Sequence, residues 1–463
     1  MTNSHHHIKM QEFRSTKNID KYSLRGKNIS LNKDTVHELY LQLMATYERC
    51  TKSKPQLKRS LFHLEYAQEV YRLASDIVQR RYRPSVSNVF VVFYPKPREI
   101  IAAHIRDRIV HHFIHEHMSP YWERRFSPHS YACRQGKGPL LAVRDLRSFV
   151  KGVKAHSSRP LYYLKVDIAA FFPSINLEIL EALAMRKLNN PLMRYLVEVT
   201  LHHRPVDKGH FSLKSPREHW LKIPKHKSMF YAPRHKGLPI GNLTSQFFAN
   251  LYLNELDQYI THRLKGRFLY WQRYVDDGLF LAHDRESLQE LPALLDEFLL
   301  NRLDLRLNPT KTILQPLDRG IDHLGYWIKP SHVLVRQKNV RACQHRRTID
   351  SENEPQMMQA SLNSYFGLFR QADCKSLRSK IAIEMEEKKY CDGRIYMDPK
   401  LERVIVGRDL QQEADDAAEE RKLVEEFRKG FLEPDVSRIN GYVKGWKSMY
   451  PILRDAEHML SAN

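Results

Sequence analysis

Two adjacent aspartates, Asp276 and Asp277, lie between two apolar stretches, LYWQR at 269–273 and GLFLA at 278–282. Apolar runs on both sides of a short polar turn predict a β-hairpin that displays both carboxylates at its tip. Neighbouring carboxylates repel each other, so such a tip is stable chiefly where a divalent cation offsets the charge. An acidic turn by itself is common, and this one needs a further partner before it indicates any chemistry.

Asp167 supplies a third carboxylate at the end of a second predicted strand, residues 161–168. A carboxylate that leaves an apolar strand beside a two-aspartate hairpin predicts a site for two Mg²⁺ ions about 3.5–4 Å apart. Mg²⁺ prefers hard oxygen ligands and keeps some water, which leaves positions for triphosphate oxygens. The pattern favours transfer of a nucleotide onto a 3′-hydroxyl. A metal-dependent nuclease is the alternative, but it requires a water-positioning group that the sequence does not identify.

Five segments resemble, in the same order, the core motifs of prokaryotic reverse transcriptases. They are residues 167–175, 237–246, 274–277, 308–312 and 323–326. The resemblance implies an RNA-directed DNA polymerase in which Asp167, Asp276 and Asp277 are the catalytic residues and the metal ligands. It also implies the Ile168 carbonyl as a further metal contact and two Mg²⁺ ions as the cofactor.

The same resemblance assigns residues that bind the incoming dNTP. Lys96 and Arg98 match a fingers segment whose cations grip the triphosphate, a task that suits a point charge and a planar fork donor. Lys311 matches a lysine near the leaving pyrophosphate. Phe172 takes the position of a bulky side chain that excludes the ribonucleotide 2′-hydroxyl. A core aromatic is the alternative for Phe172 and is what we expect for Phe171.

Further residues match family segments that lie near nucleic acid. The turn that supports the primer end is matched by Leu324, Gly325 and Tyr326. Segments near the template or nucleotide contain Arg106, Arg108, Arg134 and Lys137, although ion pairing with Asp107 is an alternative for the first two. We interpret four histidines as packing or phosphate contacts rather than zinc ligands: His111, His112, His202 and His203.

Residues 237–246 carry information about the subgroup. Retron and group II intron enzymes usually have Gln-Gly followed by Ser-Pro there, whereas this chain has Ile240-Gly241 and Ser245-Gln246. The departure is similar to the enzymes of diversity-generating retroelements, in which an aliphatic residue beside the template base makes copying error-prone. Ile240, Gly241 and Gln246 are therefore assigned to the dNTP site, where Gly241 lets the backbone approach closely.

The resemblance implies an α+β fold in the form of a right hand. Fingers and palm span 81–330, with an antiparallel palm sheet backed by helices and the three aspartates on its exposed face. A helical thumb spans 331–385 and a helical C-terminal extension spans 386–463. Apolar residues at helical spacing predict an N-terminal helical segment over 1–80. The basic residues 205–236 predict a mobile loop that faces nucleic acid, with a solvated insertion as the alternative.

The extension suits the related reverse transcriptases of anti-phage defence systems, which copy a companion noncoding RNA into DNA. Two alternatives stay open, an error-prone enzyme of a diversity-generating retroelement and an RNA-binding protein that has lost synthesis. The extension is expected to bind RNA, form a homo-oligomer or contact an accessory protein.

The charge balance points to a polyanionic partner. The 463 residues include 75 Lys and Arg against 53 Asp and Glu, a formal net charge of +22, which suits an RNA template, a DNA product and dNTPs. Five scattered cysteines without a C-x-x-C pair exclude a disulfide framework and a zinc site. The polar start of the chain and the lack of a long apolar run predict a cytoplasmic protein without membrane contact.

Overall fold

The computed structural model describes residues 33–51, 56–93, 96–349, 355–388, 395–398, 400 and 403–406. The chain divides into two compact units, Met1–Leu334 and Val335–Asn463. Each unit is considered by itself below.

The described helices, α1 to α14 in chain order, span Lys33–Thr51, Gln56–Val78, Ile105–Trp122, Pro139–His156, Phe171–Ser174, Leu177–Met185, Pro191–Leu201, Pro205–Lys208, Arg217–Trp220, Leu243–Arg263, Arg285–Leu303, Gln337–Ile349, Pro355–Phe369 and Lys375–Lys388. The described strands, β1 to β12, span Ser87–Val92, Arg98–Ala102, Tyr162–Asp167, Phe211–Leu213, Tyr270–Tyr274, Asp277–Ala282, Ile313–Pro316, Ile321–His323, Tyr326–Ile328, Val333–Val335, Ile395–Met397 and Val404–Val406. This mixture confirms the α+β class. None of the helices in these ranges has the length and apolar character that a membrane crossing needs.

A four-stranded antiparallel sheet with the order β5-β6-β3-β7 lies at the centre of the first unit. Its strands follow the apolar runs of the sequence, because alternate residues of a strand point to one face and can be buried together. Helix α11 packs against β3 and β6. The sheet is antiparallel and backed by helices, as the sequence predicts.

Helix α10 passes through the core of this unit, and 13 of its 21 residues are buried. A helix that is apolar on most sides is stable only where other elements surround it, and α10 packs against α3, α6 and α11. It begins at Leu243. Its start is fixed by a tertiary contact, since the Asn242 side chain accepts a hydrogen bond from the Ala103 N–H at 3.1 Å.

Two smaller sheets complete the first unit. In the order β2-β1-β4, β1 pairs antiparallel with β2 and parallel with β4. In the order β10-β9-β8, β8 and β9 form a hairpin.

Residues 205–236, which we call the insert, contain secondary structure that pairs with β1 and do not form the loop that the sequence predicts. The insert contains α8, β4 and α9, and β4 adds to β1. The Ser87 N–H donates to the His210 carbonyl at 3.0 Å, and the Lys214 N–H donates to the Val89 carbonyl at 2.8 Å. Main-chain pairing of this kind holds the segment in place despite its polar composition.

In the second unit, helices α12 to α14 accompany the hairpin β11–β12. The Asn363 side chain joins α13 to β12, because it accepts from the Val404 N–H at 2.6 Å and donates to the Val404 carbonyl at 3.0 Å. Most of the extension predicted over 386–463 lies outside the described residues.

Candidate active site

Asp167 and Asp277 lie opposite each other in the central sheet. Strand β3 ends at Asp167, β6 begins at Asp277, and the antiparallel register pairs the two residues directly. Asp276 lies in the two-residue turn between β5 and β6, and its carbonyl accepts a hydrogen bond from the Ile168 N–H at 3.3 Å. The fold therefore brings Asp167 beside two adjacent carboxylates that lie more than 100 residues later in the sequence.

The turn that carries Asp276 is strained at Val275, whose φ is 57°. A β-branched residue rarely adopts this left-handed conformation, and such strain costs about 1–3 kcal/mol. Backbone strain persists only where the surroundings fix the chain firmly.

Arg273 fixes the turn from behind. Its Nη1 donates to the Val275 carbonyl at 2.8 Å, while Nε and Nη2 donate to the two carboxylate oxygens of Asp257 at 2.7 Å each. Further bonds reach Ser130 Oγ at 2.9 Å and Asn250 Oδ1 at 3.3 Å. Because Asn250 and Asp257 both belong to α10, the guanidinium connects the turn to the core helix.

Both carboxylates of the hairpin, Asp276 and Asp277, have a raised pKa. Burial raises the pKa of Asp276 to about 6, and the negative charges of Asp277 and Asp167 add to the effect. Burial also raises the pKa of Asp277, where Lys165 opposes the shift and Asp167 increases it. Two lysines offset the charge, since Lys311 Nζ donates to Asp167 Oδ2 at 2.6 Å and Lys165 Nζ lies 3.8 Å from Asp277 Oδ2.

Asp167 is buried, with 6% of its surface exposed, so its predicted place on an exposed face is wrong. The segment around Asn308 and Lys311 lies over it. The Asn308 N–H donates to the Asp167 carbonyl at 2.7 Å, and the Asn308 side chain accepts from the Thr310 N–H at 3.2 Å.

The three aspartates are oxygen donors of the type that a hard divalent cation prefers. Within the described ranges, no group of three or more His, Cys, Asp or Glu side chains is arranged as a metal site in this structure. The lysine ammonium groups instead compensate the aspartates. Three adjacent carboxylates, of which Asp276 and Asp277 have a raised pKa, are the arrangement that a divalent cation relieves, and carboxylate oxygens are the ligands that Mg²⁺ prefers.

The family model described as "Reverse transcriptase (RNA-dependent DNA polymerase)" matches residues 95–328, just over half of the chain. The chain belongs to the reverse transcriptase family. It is accordingly an RNA-directed DNA polymerase, a nucleotidyltransferase. It is also similar to Protein YkfC of Escherichia coli (strain K12), with 23% identity over 318 residues, which covers 61% of this chain and 75% of YkfC. The resemblance to prokaryotic reverse transcriptases is thus confirmed. Enzymes of this family generally use divalent metal ions.

The segment 237–246 of the reverse transcriptase lies against β2. The Ile240 carbonyl accepts a hydrogen bond from the Ile101 N–H at 2.7 Å. Gly241 has a φ of 124°, and a Cβ atom there would lie 2.9 Å from Ile100 Cγ2 and 3.2 Å from the Ile101 carbonyl oxygen. Only glycine fits this position without strain. Gln246 is exposed in the first turn of α10.

The residues predicted to grip the triphosphate, Lys96 and Arg98, are exposed beside and in β2. Among the described residues, neither side chain makes a hydrogen bond or an ion pair, so both cations can bind an anion. Phe172 is half-buried with its ring 5.3 Å from that of Phe171. Its carbonyl accepts from the Leu238 N–H at 2.9 Å, which places Phe172 beside the 237–246 segment. Phe171 is buried, which confirms its assignment to the core.

The predicted primer-supporting residues form the tight turn of the β8–β9 hairpin. Leu324 and Gly325 have φ values of 48° and 94°, as two-residue hairpin turns require. Tyr326, the first residue of β9, is fully buried.

Two of the arginines predicted to lie near the template have structural contacts. Arg106 Nη2 donates to Asp76 at 2.9 Å, and its Nη1 lies 3.9 Å from Asp107. Arg134 is buried and donates to Glu123 at 2.8 Å. Its Nη1 also donates to the Ser127 carbonyl at 2.6 Å. These contacts favour a structural role for both.

Two further cations and one histidine of the sequence analysis also have partners. Arg108 donates to the Ala103 carbonyl at 3.0 Å and Lys137 to the Pro128 carbonyl at 2.8 Å. His202 is 2.8 Å from Glu181. His111 is buried in the core, which agrees with its interpretation as a packing residue.

Sequence reasoning missed the residues that support the turn. Arg273 directly precedes the acidic motif, and Asn250 and Asp257 are seven residues apart, on one face of a mostly apolar helix. Lys165 lies two residues before Asp167 and therefore on the same face of β3. Polar residues at such spacings in apolar elements are the signal that could have identified them.

Proposed function

We propose that this reverse transcriptase makes DNA on an RNA template by nucleotidyl transfer at a centre of two Mg²⁺ ions held by Asp167, Asp276 and Asp277. The observation that carries the proposal is the register that places Asp167 opposite Asp277, with Asp276 in the adjoining turn. The Ile168 carbonyl is a further candidate ligand, since its peptide is next to Asp167.

When bound, the metal ions lower the pKa of the primer 3′-hydroxyl and stabilise charge on the leaving pyrophosphate. The chain's own residues set the geometry. Arg273 holds the turn so that Asp276 and Asp277 stay at a fixed distance from β3, and α10 anchors Arg273 in turn. A reaction whose catalysis is mainly positioning and electrostatics depends on this rigidity.

Residues around the aspartates would bind the dNTP. Lys96 and Arg98 would contribute positive charge for the triphosphate. Lys311 donates a hydrogen bond to Asp167 in this structure. Once metal ions compensate the charge of Asp167, the Lys311 ammonium group would bind the pyrophosphate instead. The half-buried ring of Phe172 would exclude a 2′-hydroxyl.

The architecture that we propose is a right hand with fingers and palm over 81–330, a thumb over 331–385 and an extension over 386–463. The antiparallel sheet that carries the aspartates corresponds to the palm, and the hairpin turn at Leu324–Gly325 would support the primer end. The helices of the second unit suit a thumb.

We further propose that the template is a companion noncoding RNA copied in the cytoplasm within an anti-phage defence system. The long C-terminal extension supports this role, and it would contact that RNA, an accessory protein or a second copy of the chain. The test is to sequence the RNA that copurifies with the enzyme and the DNA made from it. Recovery of unrelated RNAs without one dominant species would contradict a dedicated template.

A second role, error-prone copying for sequence diversification, is favoured by Ile240. Its side chain cannot donate a hydrogen bond to a template base, and its backbone is fixed against β2. An Ile240→Gln variant is expected to reduce misincorporation opposite template adenine several-fold. Equal error rates in the two enzymes, measured by sequencing the DNA product, would rule out this role of Ile240.

The metal centre is tested with Asp167→Asn, Asp276→Asn and Asp277→Asn variants on a primed RNA template with Mg²⁺ and dNTPs. Each variant is expected to lose DNA synthesis by a factor of about 10³ or more while it still binds RNA. Loss of RNA binding in parallel would indicate misfolding. Full activity in any one of the three variants would refute the three-carboxylate site.

A further inference from the structure

The insert, residues 205–236, carries a strong local excess of positive charge. It contains eight Lys and Arg residues against two acidic residues, Asp207 and Glu218. Lys222, Lys225 and Lys227 are all exposed. Positive charge at this density attracts a polyanion and makes its binding depend on salt.

The insert is a firm platform. A small core of Val89, Ile101 and Met229 joins it to β1 and β2, and Phe211 and Trp220 pack against that core. The Glu99 carboxylate in β2 holds the far end of the insert, because it accepts hydrogen bonds from Ser228 Oγ at 2.6 Å and from the Met229 N–H at 3.0 Å.

The insert, together with the adjoining end of β1, exposes aromatic rings that the small core does not cover. Tyr231 is 63% exposed, Phe93 at the end of β1 is 39% exposed, and Phe230 is 37% exposed. Phe230 is only partly covered, by Phe211 and Trp220. Large rings left in water on an ordered surface mark a contact with another molecule.

Lysines accompany two of the rings. Lys222 Nζ lies 5.1 Å from the centre of the Phe93 ring, and Lys225 Nζ lies 5.6 Å from the centre of the Tyr231 ring. His219 packs edge-on against Phe93, with the ring centres 4.7 Å apart. Two of the three exposed rings, Phe93 and Tyr231, are therefore each paired with a lysine.

We infer that the insert is a stacking platform for single-stranded RNA, with Phe93 and Tyr231 as base-stacking rings and Lys222 and Lys225 as phosphate contacts. Single-stranded nucleic acids expose base faces and phosphates together, and proteins that bind them combine aromatic rings with a basic surface. A protein partner would also cover rings, but the net charge of the insert favours a polyanion.

The insert lies between two parts of the proposed dNTP site. It is bonded to β2, which carries Arg98, and it ends at the 237–246 segment, beside Phe172. The bound strand is accordingly the template outside the active site, an identification that rests on the proposed function. RNA binding by the insert does not rest on it.

The first test measures the affinity of the full chain for a fluorescent single-stranded RNA of about 12 nucleotides, without primer or dNTP, by anisotropy. Phe93→Ala and Tyr231→Ala are each expected to weaken binding about tenfold, because one stacked base is lost. The dependence of affinity on salt should stay as in the wild type. Tyr231→Phe keeps the ring and is expected to retain wild-type affinity.

The paired variant Lys222→Gln, Lys225→Gln should instead reduce the slope of log affinity against log salt by about 1.4, or about 0.7 for each phosphate contact on a single strand. The matched controls, Tyr71→Ala on α2 and Lys151→Gln on α4, alter exposed residues outside the insert. They should bind RNA as the wild type does. RNA affinity within twofold of wild type for both ring variants would overturn the inference, as would equal losses in the controls.

The second test separates this inference from the proposed function. DNA synthesis is compared on a template that ends at the copied base and on one with a long single-stranded 5′ overhang. Tyr231→Ala should lower synthesis only on the overhanging template. An equal decrease on both templates would overturn template contact by the insert. If neither the wild type nor any variant made DNA, the proposed function would fail. The RNA affinities would still show whether the insert binds single-stranded RNA.

Discussion

Arg273 makes two different contributions at the residue scale. Its bidentate pair with Asp257 neutralises two buried charges, and its bond to the Val275 carbonyl holds a backbone conformation that valine does not favour. The first contribution concerns the stability of the fold, whereas the second concerns the placement of Asp276 and Asp277. The two can be separated by experiment.

Arg273→Met alone would leave the Asp257 charge buried and unpaired, at a cost of about 3–5 kcal/mol. The double variant Arg273→Met, Asp257→Leu removes both charges and is expected to recover most of the thermal stability. It cannot recover the bond to Val275. We therefore expect kcat for dNTP incorporation to stay about 10²-fold below wild type, with a smaller change in KM.

The measurements are thermal unfolding and steady-state incorporation on a primed RNA template. If the double variant regained wild-type kcat together with stability, Arg273 would be a structural residue and not a positioning residue for the turn.

Gly278 controls how closely β3 approaches the hairpin. A Cβ atom at this position would lie 2.9 Å from Val166 Cγ2, next to Asp167. Gly278→Ala should therefore displace β3 and lower kcat about tenfold. The double variant Gly278→Ala, Val166→Ala should recover part of that loss. Gly152→Ala on α4 is the matched control, since its Cβ would meet nothing within 4 Å. Full activity of Gly278→Ala alone would show that the spacing of Asp167 and Asp277 tolerates such a shift.

At the scale of elements, the sequence predicted the strands and helices whose buried apolar residues recur at a regular spacing. Strand β3 and the β5–β6 hairpin were found within a few residues, because their apolar residues recur with the period of the element. The meeting of Asp167 with the hairpin was also predicted, from motif order. The insert was predicted to be a mobile loop, because the contacts that anchor it leave no periodic pattern in the sequence. These contacts are main-chain bonds to β1 and hydrogen bonds to one distant carboxylate, Glu99.

The supporting network of Arg273 was missed for a related reason. Ser130 is more than 100 residues from Asn250 and Asp257 in the sequence, and only the packing of α10 beneath the hairpin brings the three together. Apolar periodicity identifies which face is buried, but it does not show which buried polar groups satisfy one another.

Glu99 determines whether the insert stays attached. Glu99→Ala would leave Ser228 Oγ and the Met229 N–H buried without their acceptor, at about 1–3 kcal/mol for each group. Hydrogen exchange of residues 211–231 should become at least tenfold faster, while exchange in α10 stays unchanged.

Glu99→Gln serves as the control, because an amide can accept from Met229 and donate to Ser228. Burial raises the pKa of Glu99 above its ordinary value of 4.5, so its contribution to stability falls as pH rises through the folded-state pKa. The neutral glutamine avoids that loss and should protect the insert at neutral pH as well as glutamate does. Faster exchange in Glu99→Gln than in Glu99→Ala would contradict this account of the anchor.

At the scale of the whole molecule, His111 connects the stability of the first unit to pH. Burial, together with repulsion by His203, His112 and Arg108, lowers the pKa of His111 to about 3. Asp107 lies on the same cavity wall. The folded protein therefore keeps His111 neutral in a pH range where the unfolded chain, with an ordinary pKa of 6.5, binds a proton.

Because the folded-state pKa is the lower one, this histidine makes the fold less stable as pH falls below 6.5, until pH reaches about 3. Between pH 7.5 and pH 5.5 the loss from His111 is about 1.4 kcal/mol. His111→Gln cannot take up this proton, so its unfolding free energy should fall by about that much less over the same interval. His226→Gln, an exposed histidine of the insert, should keep the wild-type pH dependence. Urea unfolding of the three proteins at both pH values measures the difference. Equal pH dependence of the wild type and His111→Gln would mean that the buried imidazole is protonated without opening of the core.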